Sequence, residues 1–158
     1  RSLTIYPDSR GARHTLAIAS DAMQYWSESD SLYEGLIASD TNDVQALNNY
    51  SYSLVERNTQ LKKSLGMSKK AIEMEPDNAA YLDTIGWIYF KLNNAQKALY
   101  YIRRSIELEG ENAVVLEHLG DVLIDADQTD EARTIYLRAL DLDKNNDVLK
   151  QKAGVIPD

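Results

Sequence analysis

From Leu82 to Tyr89, and again from Ala98 to Ile106, apolar and small residues fall at i, i+3, i+4 and i+7, with polar Asn93 and Asn94 between the two runs. That spacing predicts two amphipathic helices joined by a short turn. A step of 34 residues carries Leu82, Ile85, Gly86 and Tyr89 onto Leu116, Leu119, Gly120 and Leu123. The same step carries Ala98, Ile102, Ser105, Ile106 and Leu108 onto Ala132, Tyr136, Ala139, Leu140 and Leu142. The pattern is therefore a repeat, with one helix pair as its unit. Gly86 with Ala98, and Gly120 with Ala132, lack bulk where the helices of a pair should lie closest, which offsets the roughly 1 kcal/mol that Gly costs inside a helix. Ser105 and Ala139 should play the same part against the following unit. Asn78 and Asn112 are expected to cap the first helices of their units, and Asn94 and Thr129 the second helices.

Period and residue order (bulky apolar, apolar-Gly, aromatic or Leu, then Ala, aromatic, Ala or Ser, and Pro) resemble the tetratricopeptide repeat (TPR). The resemblance implies an all-α protein: a right-handed superhelical α-solenoid of antiparallel helix hairpins acting as a binding scaffold. It covers the chain strongly from 44 to 146 and weakly outside. The expected division is a single array over 1–158: the tail of a preceding repeat at 1–9, repeats at 10–43, 44–78, 79–112 and 113–146, and a capping or truncated helix at 147–158. Leu3, Ile5 and Tyr6-Pro7-Asp8 carry the reading of a repeat tail, and with it the expectation of an excised piece of a longer, bacterial-type protein. In the repeat at 10–43 the helices are expected at Gly11 to Tyr25 and Glu28 to Ser39. Leu47, Tyr50, Ser51 and Leu54 precede their counterparts by 35 residues, whereas Ser64, Ala71, Ile72 and Met74 precede theirs by 34. One extra residue is thus expected in the turn at Asn58, Thr59 and Gln60, where a longer loop costs little. Asp147 to Ala153 should form two turns of helix whose Lys150, Gln151 and Lys152 give it a wet outer face.

Composition narrows the reading further. The 158 residues include only three prolines and seven glycines and show no alternating strand pattern. With no cysteine, neither a disulfide framework nor a thiolate metal site can form. No apolar run approaches the roughly 20 residues that span a bilayer. Seventeen basic against 25 acidic residues give a net charge of -8, opposite to what phosphate neutralisation needs, so nucleic acid is not an expected partner. The two histidines, His14 and His118, fall in helices of non-adjacent repeats, where a surface or groove position is expected and no zinc pair or nucleophile-base arrangement can be built. No catalytic residue, metal ligand or cofactor is expected, and the chain reads as a non-enzyme.

The resemblance implies that first helices line a concave groove. The inward positions are then Gly11, His14, Ile18, Asp21 and Ala22; Gln45, Asn48, Tyr52, Val55 and Glu56; Ala80, Asp83, Trp87, Phe90 and Lys91; and Val114, Glu117, Asp121, Ile124 and Asp125. Tyr52 and Trp87 share a repeat position and are expected about 10 Å apart; with Phe90 they form an aromatic centre of the kind interface hot spots favour. Asn48 can both donate to and accept from a peptide backbone. Asp83, Glu117, Asp121 and Asp125 would attract a basic segment. Some tetratricopeptide proteins clamp a chaperone's C-terminal carboxylate with Lys, Asn and Arg. Here Asp83 and Glu117 stand where bases are needed, and Asn48 and Asn49 alone do not rebuild that clamp. The expected partner is a protein or peptide segment with basic and apolar residues. The alternatives are a spacer using its convex face or ends, with end-to-end self-association, and the recruiting arm of a larger enzyme.

Overall fold

The computed structural model describes residues 9–155; the expected repeat tail at 1–9, but for Ser9, and the expected helix stop at Ile156 and Pro157 lie outside them. All regular structure among the described residues is helical, and the chain divides into two compact units between Glu75 and Pro76.

The first unit holds α1 (Arg10–Ala22), α2 (Trp26–Ser39), α3 (Val44–Glu56) and α4 (Leu61–Met74). α1 pairs with α2 and α3 with α4, and α3 also packs on α2 and α1. Its core is Ala17, Tyr33, Leu36, Ala46, Tyr50 and Leu54, with Leu32, Ile37 and Met67 at the edge. The Tyr33 and Tyr50 rings stack at 5.4 Å between centroids. Burial, aided by Asp21, pushes the Tyr33 phenol up to about 12. Where the second unit has Gly and Ala between paired helices, α3 and α4 have Ser51 and Ser64. Each uses its hydroxyl to cross the gap: Ser64 donates to the Ser51 carbonyl at 2.8 Å, and Ser51 is shared between the carbonyls of Ser64 and Leu47.

The second unit holds α5 (Ala79–Lys91), α6 (Ala95–Glu109), α7 (Ala113–Asp125), α8 (Thr129–Leu142) and the short α9 (Asp147–Lys152). Successive helices pack on one another, and α5 also touches α7. The glycines mark the close approaches. A Cβ on Gly86 would lie 2.6 Å from Ile102 Cγ1 and 3.2 Å from the Ala98 carbonyl oxygen; one on Gly120 would lie 2.3 Å from Tyr136 Cε1. Ser105 donates across to the Ala79 carbonyl at 2.8 Å.

Side-chain caps start the first helix of every pair: Ser9, Asp43, Asn78 and Asn112 accept from the backbone N–H three residues on, and Asn146 does so for α9. Asn94 caps α6 likewise. Thr129 is not the cap of α8. It is the first helical residue, behind Gln128, which makes no capping bond. The physical reason is the turn: Asp127 takes the left-handed conformation of Asn93 (φ 58° and 57°), so Gln128, not Thr129, matches Asn94. A left-handed residue also ends α1 earlier than expected, at Ala22, where Gln24 has φ 62° and Tyr25 N–H reaches back to the Ser20 carbonyl; α2 then begins at Trp26. Between α3 and α4 the turn runs from Arg57 to Gln60, one residue longer than Leu92 to Asn94, and both Asn58 and Gln60 are left-handed.

Candidate functional site

In the first unit several of the positions expected to face a groove are tightly bonded. Expected at the surface or in the groove, His14 is buried, and its Nε2–H donates to Asp43 Oδ2 at 2.8 Å, since a carboxylate can only accept. Arg10 donates to the same oxygen. Burial alone would raise the Asp43 carboxyl, but the Ala46 N–H, Arg10 and His14 outweigh it and hold the pKa below the ordinary value. Asp21 accepts from Ser53, joining α1 to α3. Asn48 is 7% exposed, and its Oδ1 has no hydrogen-bond partner among the described residues. Tyr52, a turn further along α3, is half-buried.

The second unit gathers three of the expected residues into one cluster. Trp87 stacks on Phe90 with centroids 4.8 Å apart, and with His118 of α7 at 4.1 Å. Lys91 Nζ lies 4.5 Å from the Trp87 ring centroid and 5.5 Å from that of Phe90. His118 Nδ1 lies 3.0 Å from Asp83 Oδ2, so this imidazole too is buried and bonded rather than at the surface. Trp87, only 6% exposed, is the floor of the cluster, and Phe90, half-buried, is its open aromatic edge.

The acidic residues of α7 form a second cluster. Lys152, expected on a wet outer face, turns inward instead. Its Nζ lies 2.7 Å from Glu117 Oε1 and 2.7 and 2.9 Å from the two Asp121 oxygens. The reason is helical register: Leu149 and Ala153 are buried, and Lys152 lies three residues beyond Leu149, on the same side of α9. Tyr136 donates to Asp121 Oδ1 at 2.7 Å, and burial followed by that bond pushes its phenol well above the ordinary value. Asp125 is exposed and makes no ion pair among the described residues. Asn48 and Tyr52 therefore belong to one unit and Asp83, Trp87, Phe90, Glu117, Asp121 and Asp125 to the other. Sequence reasoning missed the roles of His118, Lys152 and Tyr136. The signal was there: Asp83 to His118 and Glu117 to Lys152 are both acid-to-base pairs 35 residues apart.

No group of three or more metal-ligating side chains occurs among the described residues. Nor is any helix there long and apolar enough to cross a membrane. The surface offers stacked rings, carboxylates and amides, which suit recognition of another polypeptide.

Comparison with known proteins bears on the whole arrangement. Residues 79–112 and 113–146 match the family model described as tetratricopeptide repeat. The chain is 27% identical over 97 residues to the TPR repeat-containing protein PA4667 of Pseudomonas aeruginosa; the match covers 60% of this chain and 16% of that much longer relative. Among solved structures, TTC0263, a thermophilic TPR protein of Thermus thermophilus, aligns with a TM-score of 0.81 at 19% identity, covering 95% of this chain and 82% of that one. YrrB, described as a TPR protein with an unusual peptide-binding site, aligns with a TM-score of 0.67 at 19% identity, covering 95% and 77%. At such identities the structural likeness establishes the fold, that of a helix-hairpin solenoid. Proteins of this fold are typically non-enzymatic scaffolds for protein–protein interaction. Residues 79–146 are thus matched as two tetratricopeptide repeats, and the chain shares the helix-hairpin fold of solved proteins that carry such repeats.

Proposed function

We propose that the chain binds an extended or helical segment of a partner protein along the exposed faces of its first helices. In the second unit, apolar side chains of the partner lie against Phe90 beside Trp87 and basic residues point toward Asp121 and Asp125; in the first unit, Tyr52 offers an apolar ring and Asn48 an amide for backbone groups. The observation that carries this reading is the Phe90–Trp87–His118 stack. Rings already held against one another lose little freedom when a ligand lands on them, so their contact area contributes more fully to affinity. A relative of the same fold, YrrB, is described as having a peptide-binding site.

The test is selection of a random peptide library against the chain, beside a Tyr52→Ala, Phe90→Ala double variant whose helical circular dichroism matches the parent. Phe90 is chosen over Trp87 because removing the buried indole would also open the packing of α5 on α7. Peptides combining basic and apolar residues should be enriched, and each aromatic removed should weaken them by more than about 1 kcal/mol, roughly fivefold or more. Enrichment indifferent to both substitutions would refute the aromatic face.

A second reading is favoured by exposed apolar side chains away from these helices' binding faces: Leu16 and Met23 in the first unit, Leu137, Leu142 and Val148 in the second. Self-association through them should appear in sedimentation velocity as a concentration-dependent shift that the Tyr52 and Phe90 substitutions leave unchanged.

A further inference from the structure

The carboxylates best placed to receive a basic partner already hold a base of the chain's own. Lys152 Nζ has three N–H donors, and three carboxylate oxygens of Glu117 and Asp121 stand within 2.9 Å of it. The Tyr136 ring lies 5.7 Å from the ammonium, and its hydroxyl donates to Asp121 Oδ1, an oxygen that Lys152 also reaches. A hollow of about 380 Å³ opens beside this cradle, lined by Ile124, Thr129, Tyr136, Gln151 and Gly154 among others, so the cradle is reachable from solvent.

The helix that delivers Lys152 is weakly built. α9 spans only Asp147–Lys152, far shorter than the roughly 12 to 15 residues at which an isolated helix becomes even marginal in water. It stops at Gly154, whose φ of 71° turns the chain away. Its buried anchors are Leu149 and Ala153. Lys152 stays charged in place: burial works against the ammonium, but the bonds to Asp121 and Glu117 outweigh it and raise its pKa. Asp125 is the acidic residue of α7 left open.

We propose that α9 is a self-inhibitory strap: Lys152 fills a lysine-recognition cradle made by Glu117, Asp121 and Tyr136, and a basic side chain of a partner enters that cradle by displacing it. The inference rests on the first-helix binding face proposed above and adds its regulation. A tethered lysine competes at the effective concentration set by its short connection to α8, so a free one must exceed that level to enter. The strap therefore disfavours isolated lysines and admits segments that gain further contacts at Phe90.

The cradle can be tested without knowing the partner. The probe is N-acetyl-lysine methylamide, titrated into the parent chain and into Lys152→Met, which keeps the apolar stem and removes the charge. The readout is the side-chain carboxyl ¹³C resonances of Glu117 and Asp121. Half-saturation in Lys152→Met should fall at a probe concentration at least tenfold lower than in the parent, while Lys152→Arg should stay closed. In the parent, saturating probe should speed amide exchange of Leu149 and Lys150 as α9 lifts. Equal titrations of parent and Lys152→Met, or no shift in either, would overturn the strap. Circular dichroism and the unchanged stack of Trp87 on His118, read from ring-current shifts, guard against a misfolded variant. The outcome is independent of the peptide-library selection: a responsive cradle with an inert aromatic face would refute the binding face and leave the cation site standing.

Discussion

Replacing Gly120 by Ala puts two effects of opposite sign in competition, and the close approach of α7 to α8 decides between them. Glycine to alanine inside a helix ordinarily stabilises by about 1 kcal/mol. At Gly120 the new methyl would lie 2.3, 2.7 and 2.8 Å from Cε1, Cδ1 and Cζ of Tyr136, distances at which something must move. The ring is buried and cannot swing freely, because its hydroxyl is fixed to Asp121. Overpacking a tight site costs about 1–3 kcal/mol, and giving up a hydrogen bond to a charged group costs about 1.5–3 kcal/mol. The net expectation is destabilisation by about 1–3 kcal/mol. Gly66, on the exposed side of α4, has nothing within 4 Å of its would-be Cβ, so Gly66→Ala should stabilise by about 1 kcal/mol. The same chemical change thus splits by about 2–4 kcal/mol between two positions. Urea unfolding followed by far-ultraviolet circular dichroism measures it, with Trp87 fluorescence in a Trp26→Phe background reporting on the second unit separately. In a Tyr136→Ala background the cost at Gly120 should vanish, giving a coupling energy above about 1 kcal/mol. A Gly120→Ala chain as stable as Gly66→Ala would refute the close approach.

Two further outcomes follow from capping and charge. Asn112→Ala should lose about 1 kcal/mol with its cap, while Thr129→Ala, at a first helical position behind an uncapped Gln128, should change stability by less than about 0.5 kcal/mol in the same urea assay. Asp43 has a folded pKa below its unfolded value, so its contribution is present above about pH 4 and is lost as pH falls through the folded value. Asp43→Asn, which can still cap α3, should therefore cost about 1–2 kcal/mol at pH 7 and flatten the acid limb of stability measured between pH 5 and 2.

The helix pairs were legible because their determinants are local and repeated. Gly86 and Gly120 mark tight crossings through the absence of a side chain, and the 35-residue step from Ser51 to Gly86 placed the extra residue in the turn at Asn58, Thr59 and Gln60. Thr129 misled because Thr is a good capping type; the true register was carried by Asp127 in the left-handed conformation, which a sequence does not display. The histidines and Lys152 misled for another reason. A helix-face argument says which side a residue points to, but not which carboxylate the neighbouring helix brings there. His118 looked like a groove residue and is bonded to Asp83; the polar run Lys150-Gln151-Lys152 looked solvated, yet its last member crosses to α7. Carboxylates read as open acceptors were, apart from Asp125, already engaged.

The pairing of Asp83 with His118 and of Glu117 with Lys152 has a bearing on how such a chain tolerates change in length. Both links join residues 35 apart, so each ties one helix pair to the next without regard to which pair it is. Duplication of the unit at 113–146 would renumber the partners and keep both links in register. A single residue gained or lost inside α5, α7 or α9 would rotate everything beyond it by about 100°, swinging the acid or the base off its mate. Growth by whole units, and small slips confined to hairpin turns such as Arg57 to Gln60, are the changes of length that this chemistry permits.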